Sequence, residues 1–309
     1  QAHERYVINF GQITLEEAAR YPSLLSIVET RVKPERDLAR ETTADGAHRK
    51  KYWWQFAQPR PELFAAIRPL SRCLVASRHT KHLAFVFQRV DRVYSEATNV
   101  FVSERTSTFA TLQSRVHEPW ARLLSSSMRN DLRYSASDCF ETFPFPKPNP
   151  CTVHPALEDA GQRLYDFRAV YMIDENVGLT ITYNRLKDPS WDETRIVELR
   201  RLHEEMDREV LAAYGWGDVA VPPYCPVDQA ERAAVRAFED EVIDRLFVLN
   251  AKRAEDERAL AMRQPASRAK LSRTAADSKL PAAKLQDKQP GGPQLGPERT
   301  DGSDRRSGG

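Results

Sequence analysis

Apolar positions fall into three textures along this chain of 309 residues. The first 50 residues are largely polar, with short helical pieces. Thr14-Leu15-Glu16-Glu17 has the reciprocal spacing of a capping box, which predicts a short helix ending before Pro22. Residues 24–32 predict a second helix, closed by Pro34. Residues 35–50 are polar, and Asp45-Gly46 signals a turn. The texture then changes. Residues 72–77, 83–87 and 99–102 are short runs rich in apolar, β-branched and aromatic side chains, the pattern of buried strands. Residues 78–82 connect the first two. Over 107–124, Phe109, Leu112, Val116, Trp120 and Leu123 recur at spacings of three and four, predicting a helix interrupted by Pro119.

The stretch Phe143-Pro144-Phe145-Pro146-Lys147-Pro148-Asn149-Pro150 alternates proline with other residues, excludes helix and reads as an extended linker. Helical periodicity follows. Ile196, Leu199, Leu202, Met206, Val210 and Leu211 form one stripe, with Ser190 and Glu193 as a capping pair and Gly215 as C-cap. Asp228 and Glu231 can start another helix, whose buried face is Val235, Phe238, Val242, Leu246 and Leu249. Beyond about residue 256 the periodicity fades into a tail of Lys, Arg, Pro, Gly and Ser. The fold class this implies is α+β. A mixed domain of short strands and helices spans 1–146, a Pro-rich linker 147–150, a mainly helical domain 151–251, and a disordered basic tail 252–309.

Charge sharpens this division. Residues 49–133 hold 15 Lys and Arg against 6 Asp and Glu, whereas residues 146–251 hold 12 against 20. The middle of the chain therefore suits a polyanion, or is a solvated arginine-rich face, and the helical part is a poor DNA surface. No apolar run approaches the roughly 20 residues a membrane span needs, so no membrane partner is expected. Cys73, Cys139, Cys151 and Cys225 form no CxxC pair. The chain begins at Gln1 with no apolar leader, so reduced thiols and the cytoplasm are expected, in a trimmed chain or a piece of a longer protein.

Catalytic motifs are lacking. No GxGxxG, GxxxxGK[ST] or HExxH occurs, and Asn149-Pro150-Cys151 only half matches the Asn-Pro-Pro-aromatic grip that adenine methyltransferases use on a flipped base. No cofactor or metal site is expected on this chain. His203 reads as a solvated helix position. His117 reads as packing, capping or a nucleic-acid contact. Trp53 and Trp54 read as core or interface, or else as a stacking platform. The DNA-binding candidates are Arg72, Arg78, His79, Lys81, His82, Arg89, Arg92, Arg105, Arg115 and His117. Arginine predominates, which suits bidentate contacts to phosphate and to guanine. A small hydrolase using His117 with Asp138, and a non-catalytic helical adaptor, stand as alternatives.

An ordered set of strings carries a family resemblance. Arg5-Tyr6-Val7-Ile8-Asn9-Phe10-Gly11, Val32-Lys33-Pro34-Glu35-Arg36, Trp53-Trp54-Gln55-Phe56 and Arg60-Pro61-Glu62-Leu63 come first. Thr80-Lys81-His82-Leu83-Ala84-Phe85-Val86-Phe87, Ser114-Arg115-Val116-His117-Glu118-Pro119-Trp120 and Cys139-Phe140-Glu141-Thr142-Phe143-Pro144-Phe145-Pro146 follow. Leu164-Tyr165-Asp166-Phe167-Arg168, Tyr183-Asn184-Arg185 and Ala213-Tyr214-Gly215-Trp216 complete it. Together they resemble the C-terminal half of MmeI-like (type IIL) restriction-modification enzymes. The resemblance implies a target recognition domain at 1–146 and the family's helical region after it. It also implies double-stranded DNA as partner. S-adenosylmethionine would sit on a methyltransferase domain outside this chain, with a nuclease domain in enzymes that cleave. The parent activity would be methylation of adenine, whose extrusion from the stack costs a few kcal/mol and requires the flanking duplex to be held. Base-reading positions would lie near 77–81 and 89–99, with Arg78, Lys81, Arg89, Arg92 and Arg115 facing DNA.

Overall fold

The structure is a computed structural model that describes residues 6–128, 131–147 and 149–263. Helices α1 (Leu15–Ala18), α2 (Pro22–Arg31), α3 (Lys33–Asp37), α4 (Ala44–Lys51) and α5 (Pro61–Ile67) come first. The Thr14–Glu17 capping box is present in both directions. Asp45-Gly46 is not a turn: it lies inside α4, which Thr43 caps by accepting from the Gly46 N–H. A Cβ at Gly46 would meet the Arg40 carbonyl oxygen at 2.0 Å, so the glycine serves close approach rather than a reversal. Trp53 packs with Phe10, Ala18 and Val28, and the Trp54 indole donates to the Ile13 carbonyl. Both belong to the core of this N-terminal cap, so neither is a stacking platform.

Strands β1 (Arg72–Ser77), β2 (His79–Thr80), β3 (Phe85–Arg89) and β4 (Thr98–Phe101) follow. β1 is central, antiparallel to β3 on one side and β4 on the other. Side chains alternate between faces along a strand. Leu74, Ala76, Phe85 and Phe101 therefore face the main core, while Cys73, Val75, Val86 and Val100 pack with Ile67 and Phe64 of α5. Both faces are covered, which is why β1 reads as an unbroken apolar run.

The helical stretch over 107–124 splits into α6 (Thr106–Gln113) and α7 (His117–Leu124). The break falls at 114–116 rather than at Pro119. Pro119 sits in the first turn of α7, where its missing N–H costs nothing. The short strands β5 (Ser126–Met128) and β6 (Asp131–Arg133) form a second sheet with β2, and one π-helical turn follows over Ala136–Phe140.

Helices α8 (Pro155–Asp174), α9 (Leu179–Leu186), α10 (Thr194–Tyr214) and α11 (Gln229–Arg263) make up the rest. Gly215 ends α10 at φ 77°, with the paired bonds to Ala212 and Leu211 of a Schellman motif. Ser190 does not cap α10; its hydroxyl bonds Asp188, and the helix begins at Thr194 after an uncapped Glu193. His203, expected on a solvated face, is buried and stacks on Tyr224 at 4.5 Å. Helix α11 runs on to Arg263, past the point where apolar periodicity fades; residues 264–309 of the expected tail lie outside the described residues.

A single core runs from Leu74 to Leu246 and takes in both sides of the Pro-rich segment. Phe143 and Phe145 are themselves buried in it. Phe143 meets His117 at 4.5 Å, and the Tyr214 hydroxyl donates to the Pro144 carbonyl. The segment is irregular, as its prolines require, but it is packed as a strap. All four cysteines are free. Among the described residues no helix is long and apolar enough to cross a membrane.

Candidate nucleic-acid interface

Two connections of the β3-β1-β4 sheet define the site: the β1–β3 loop at the Ser77 end, and the β3–β4 crossover, which runs from Arg89 beside Arg72 to Thr98 beside Ser77. The first leaves β1 at Ser77 and turns through β2 to His82. Its corner is fixed locally: the Ser77 hydroxyl donates to the His79 carbonyl and the Thr80 hydroxyl to the His82 carbonyl. Backbone bonds tie Arg78 to both sheets, its N–H donating to Ala97 and its carbonyl accepting from Tyr134. The second loop joins β3 to β4. Tyr94 anchors it, donating to the Arg89 carbonyl at 2.6 Å and contacting the Cys73 thiol at 3.0 Å. Thr98 donates back to Ser95 from both its N–H and its hydroxyl.

Between these loops lies a cleft of about 740 Å³. His79, Thr80, Lys81 and His82 line one side, and Gln88, Arg92, Tyr94 and Ser95 another. Asp131 and three residues of α9, Leu179, Thr180 and Tyr183, complete the lining. No pattern in the sequence points to these last four. Thr180 and Tyr183 lie about 100 residues from the loop they face, and local spacing does not record such a meeting.

The ten candidate cations and histidines separate sharply. His79, Lys81, His82 and Arg92 line the cleft. Arg78 is half-buried at its corner, and Arg105 is exposed beside α6. Among the described residues, none of Arg78, His79, Lys81, Arg92 and Arg105 is ion-paired with a carboxylate; Arg92 donates to the neutral Gln88. Arg89 is forked onto Asp91. Arg72 is stacked 3.8 Å over Phe87 and donates to the Glu104 carbonyl. His82 is buried; loss of water pushes its pKa down, against the bond to Asn184, so its imidazole is neutral near neutral pH.

Arg115 and His117 are corrections. Arg115 pairs with the fully buried Asp207 at 2.6 Å and donates to the Pro222 and Pro223 carbonyls. Burial pushes Asp207 upward, and Arg115 pulls it back. His117 is fully buried, with Nε2 3.0 Å from the Tyr134 hydroxyl and Nδ1 without a partner. Removal from water lowers its pKa to about 3. Neither residue can reach a duplex from these positions. A sealed imidazole also leaves the hydrolase reading without its base, and Asp138 sits apart on the exposed side of the π-turn. Among the described residues no His, Cys, Asp and Glu cluster is arranged to hold a metal.

A protein-family model described as "MmeI, target recognition domain" matches residues 1–147. These residues are a target recognition domain of the MmeI type. The chain is also similar to DNA methyltransferase A of Bacillus subtilis (strain 168), at 28% identity over 140 residues; the match takes in 45% of this chain and 15% of that protein. Among solved structures, the type IIL restriction-modification enzyme MmeI, determined in complex with DNA, resembles 80% of this chain with a TM-score of 0.55 at 20% identity, a likeness of fold. The chain spans 28% of that enzyme's length. Both cleft loops lie within the target recognition domain, while the α9 wall lies outside it.

Proposed function

We propose that this chain reads duplex DNA for an adenine-specific methyltransferase of the MmeI type, and that the cleft is where it does so. One observation carries the reading: two loops converge on a concave surface lined by Lys81 and Arg92, with Arg78 at its corner, and none of the three has a carboxylate partner among the described residues, so their charge is available to phosphates. Phosphate contacts set register, and hydroxyl, amide and imidazole groups in the same cleft are of the kind that read base edges. The methyl transfer falls to a domain binding S-adenosylmethionine that residues 6–263 do not supply, joined by a nuclease domain where the parent enzyme cleaves.

The test is binding of the full chain to a short labelled duplex across a range of salt. Replacing Arg78, Lys81 and Arg92 together by alanine lowers affinity and flattens the slope of log Kobs against log salt, by about 0.9 for each phosphate no longer neutralised. An unchanged affinity and slope removes the cleft from the reading. A helical adaptor with no nucleic-acid role predicts no retention of the wild-type chain on DNA even at low salt.

A further inference from the structure

The corner that carries Lys81 and His82 is not held by the recognition domain alone. Lys81 Nζ lies 2.9 Å from the Asn184 side-chain oxygen, and His82 Nε2 lies 2.8 Å from the same atom. One carboxamide oxygen on α9 therefore accepts from two consecutive residues of the loop. The next residue inward, Tyr183, is fully buried, lines the cleft and stacks on His82 at 6.0 Å and 29°. Tyr183 is in turn fixed from behind by Arg168, which donates to its hydroxyl at 2.8 Å and to the Phe85 carbonyl of β3 at 2.7 Å. Asn184 itself is exposed, so nothing in the core requires an asparagine there.

We propose that Asn184 is a positioning residue for sequence recognition, acting through Lys81 and His82, and that α9 is thereby part of the reading site although it lies outside the recognition domain. The proposal rests on the reading of the cleft as a DNA surface. A base-edge contact depends on orientation to within a fraction of an ångström, whereas attraction to phosphate does not. Releasing the corner therefore degrades selection among sequences and leaves general affinity for duplex intact.

The experiment selects bound molecules from a pool of randomised DNA duplexes with the full chain, its Asn184→Ala variant and its Asn184→Asp variant, and sequences them. Wild type enriches a site. Asn184→Ala, a change at an exposed helical position, keeps the thermal midpoint and the salt slope but loses about tenfold in enrichment, the equivalent of one base contact. Asn184→Asp, which still accepts from both neighbours but gives Lys81 a carboxylate partner, restores the enrichment while lowering overall affinity for duplex. If Asn184→Ala enriches the same site as strongly as wild type, the positioning role is overturned and the DNA reading stands. If wild type enriches nothing, both fall.

Discussion

The helical region and the cleft use the same cations in opposite ways. Along the helices, Arg163, Arg185, Arg195, Arg201, Arg208 and Arg245 each hold at least one carboxylate. Where the helices meet the recognition domain, Arg115 is clamped on Asp207, and Arg168 is surrounded by Gln113, Tyr183 and the Phe85 carbonyl. Around the cleft, Arg78, Lys81 and Arg92 hold no carboxylate among the described residues. Burial and pairing, rather than residue type or local density of arginine, decide which guanidinium is structural and which is free to meet a ligand.

The largest effect that could break this contrast is at the seam. Arg115→Ala leaves Asp207 buried with little compensation, and a loss of about 3–5 kcal/mol is expected, read by chemical denaturation. Pairing Arg115→Met with Asp207→Leu should recover much of it, because the stranded charge goes too. A smaller effect concerns pH. The His117 pKa is lowered from 6.5 to about 3 by burial, and burial lowers that of His203 in the same direction. The unfolded chain then binds protons that the fold refuses. Stability holds above about pH 6.5 and falls as pH drops from there toward 3. Asp207, shifted upward, works against the trend. Thermal midpoints should decline between about pH 7 and pH 5, and His117→Gln should make that decline shallower. The smallest effect is at the rim. Arg92→Ala should leave the thermal midpoint where it was while weakening duplex binding; a large drop in midpoint would mean that Arg92 belongs with the seam.

Much of the fold was legible because it rests on local rules. The strand at 72–77 is found as read, and those at 83–87 and 99–102 are displaced by at most two residues. The Thr14 box and the Gly215 cap are likewise short-range patterns. The failures share a cause at longer range. Asp45-Gly46 carries turn chemistry, but the close approach of Gly46 to Arg40 makes it a helical position. His203 looks polar among Glu and Arg neighbours, yet it meets Tyr224 across the fold. The site was half legible for the same reason. The family resemblance points to segments near 77–81 and 89–99, and residues of both line the cleft, but Thr180 and Tyr183 join them, and Asn184 meets Lys81 and His82, only through packing. Conversely, Arg115 and His117 shared the basic segment's composition while packing drew them inward.

Because Phe143 and Phe145 are wedged between His117, Phe140 and Tyr214, residue 147 marks the edge of a sequence family and not a seam at which the molecule can be parted. Grafting a new specificity from a relative is therefore expected to fail when the crossover is made there. An exchange that carries residues 6–256 as one block keeps the packing of Phe143 and Phe145 and the Arg115–Asp207 pair from a single parent.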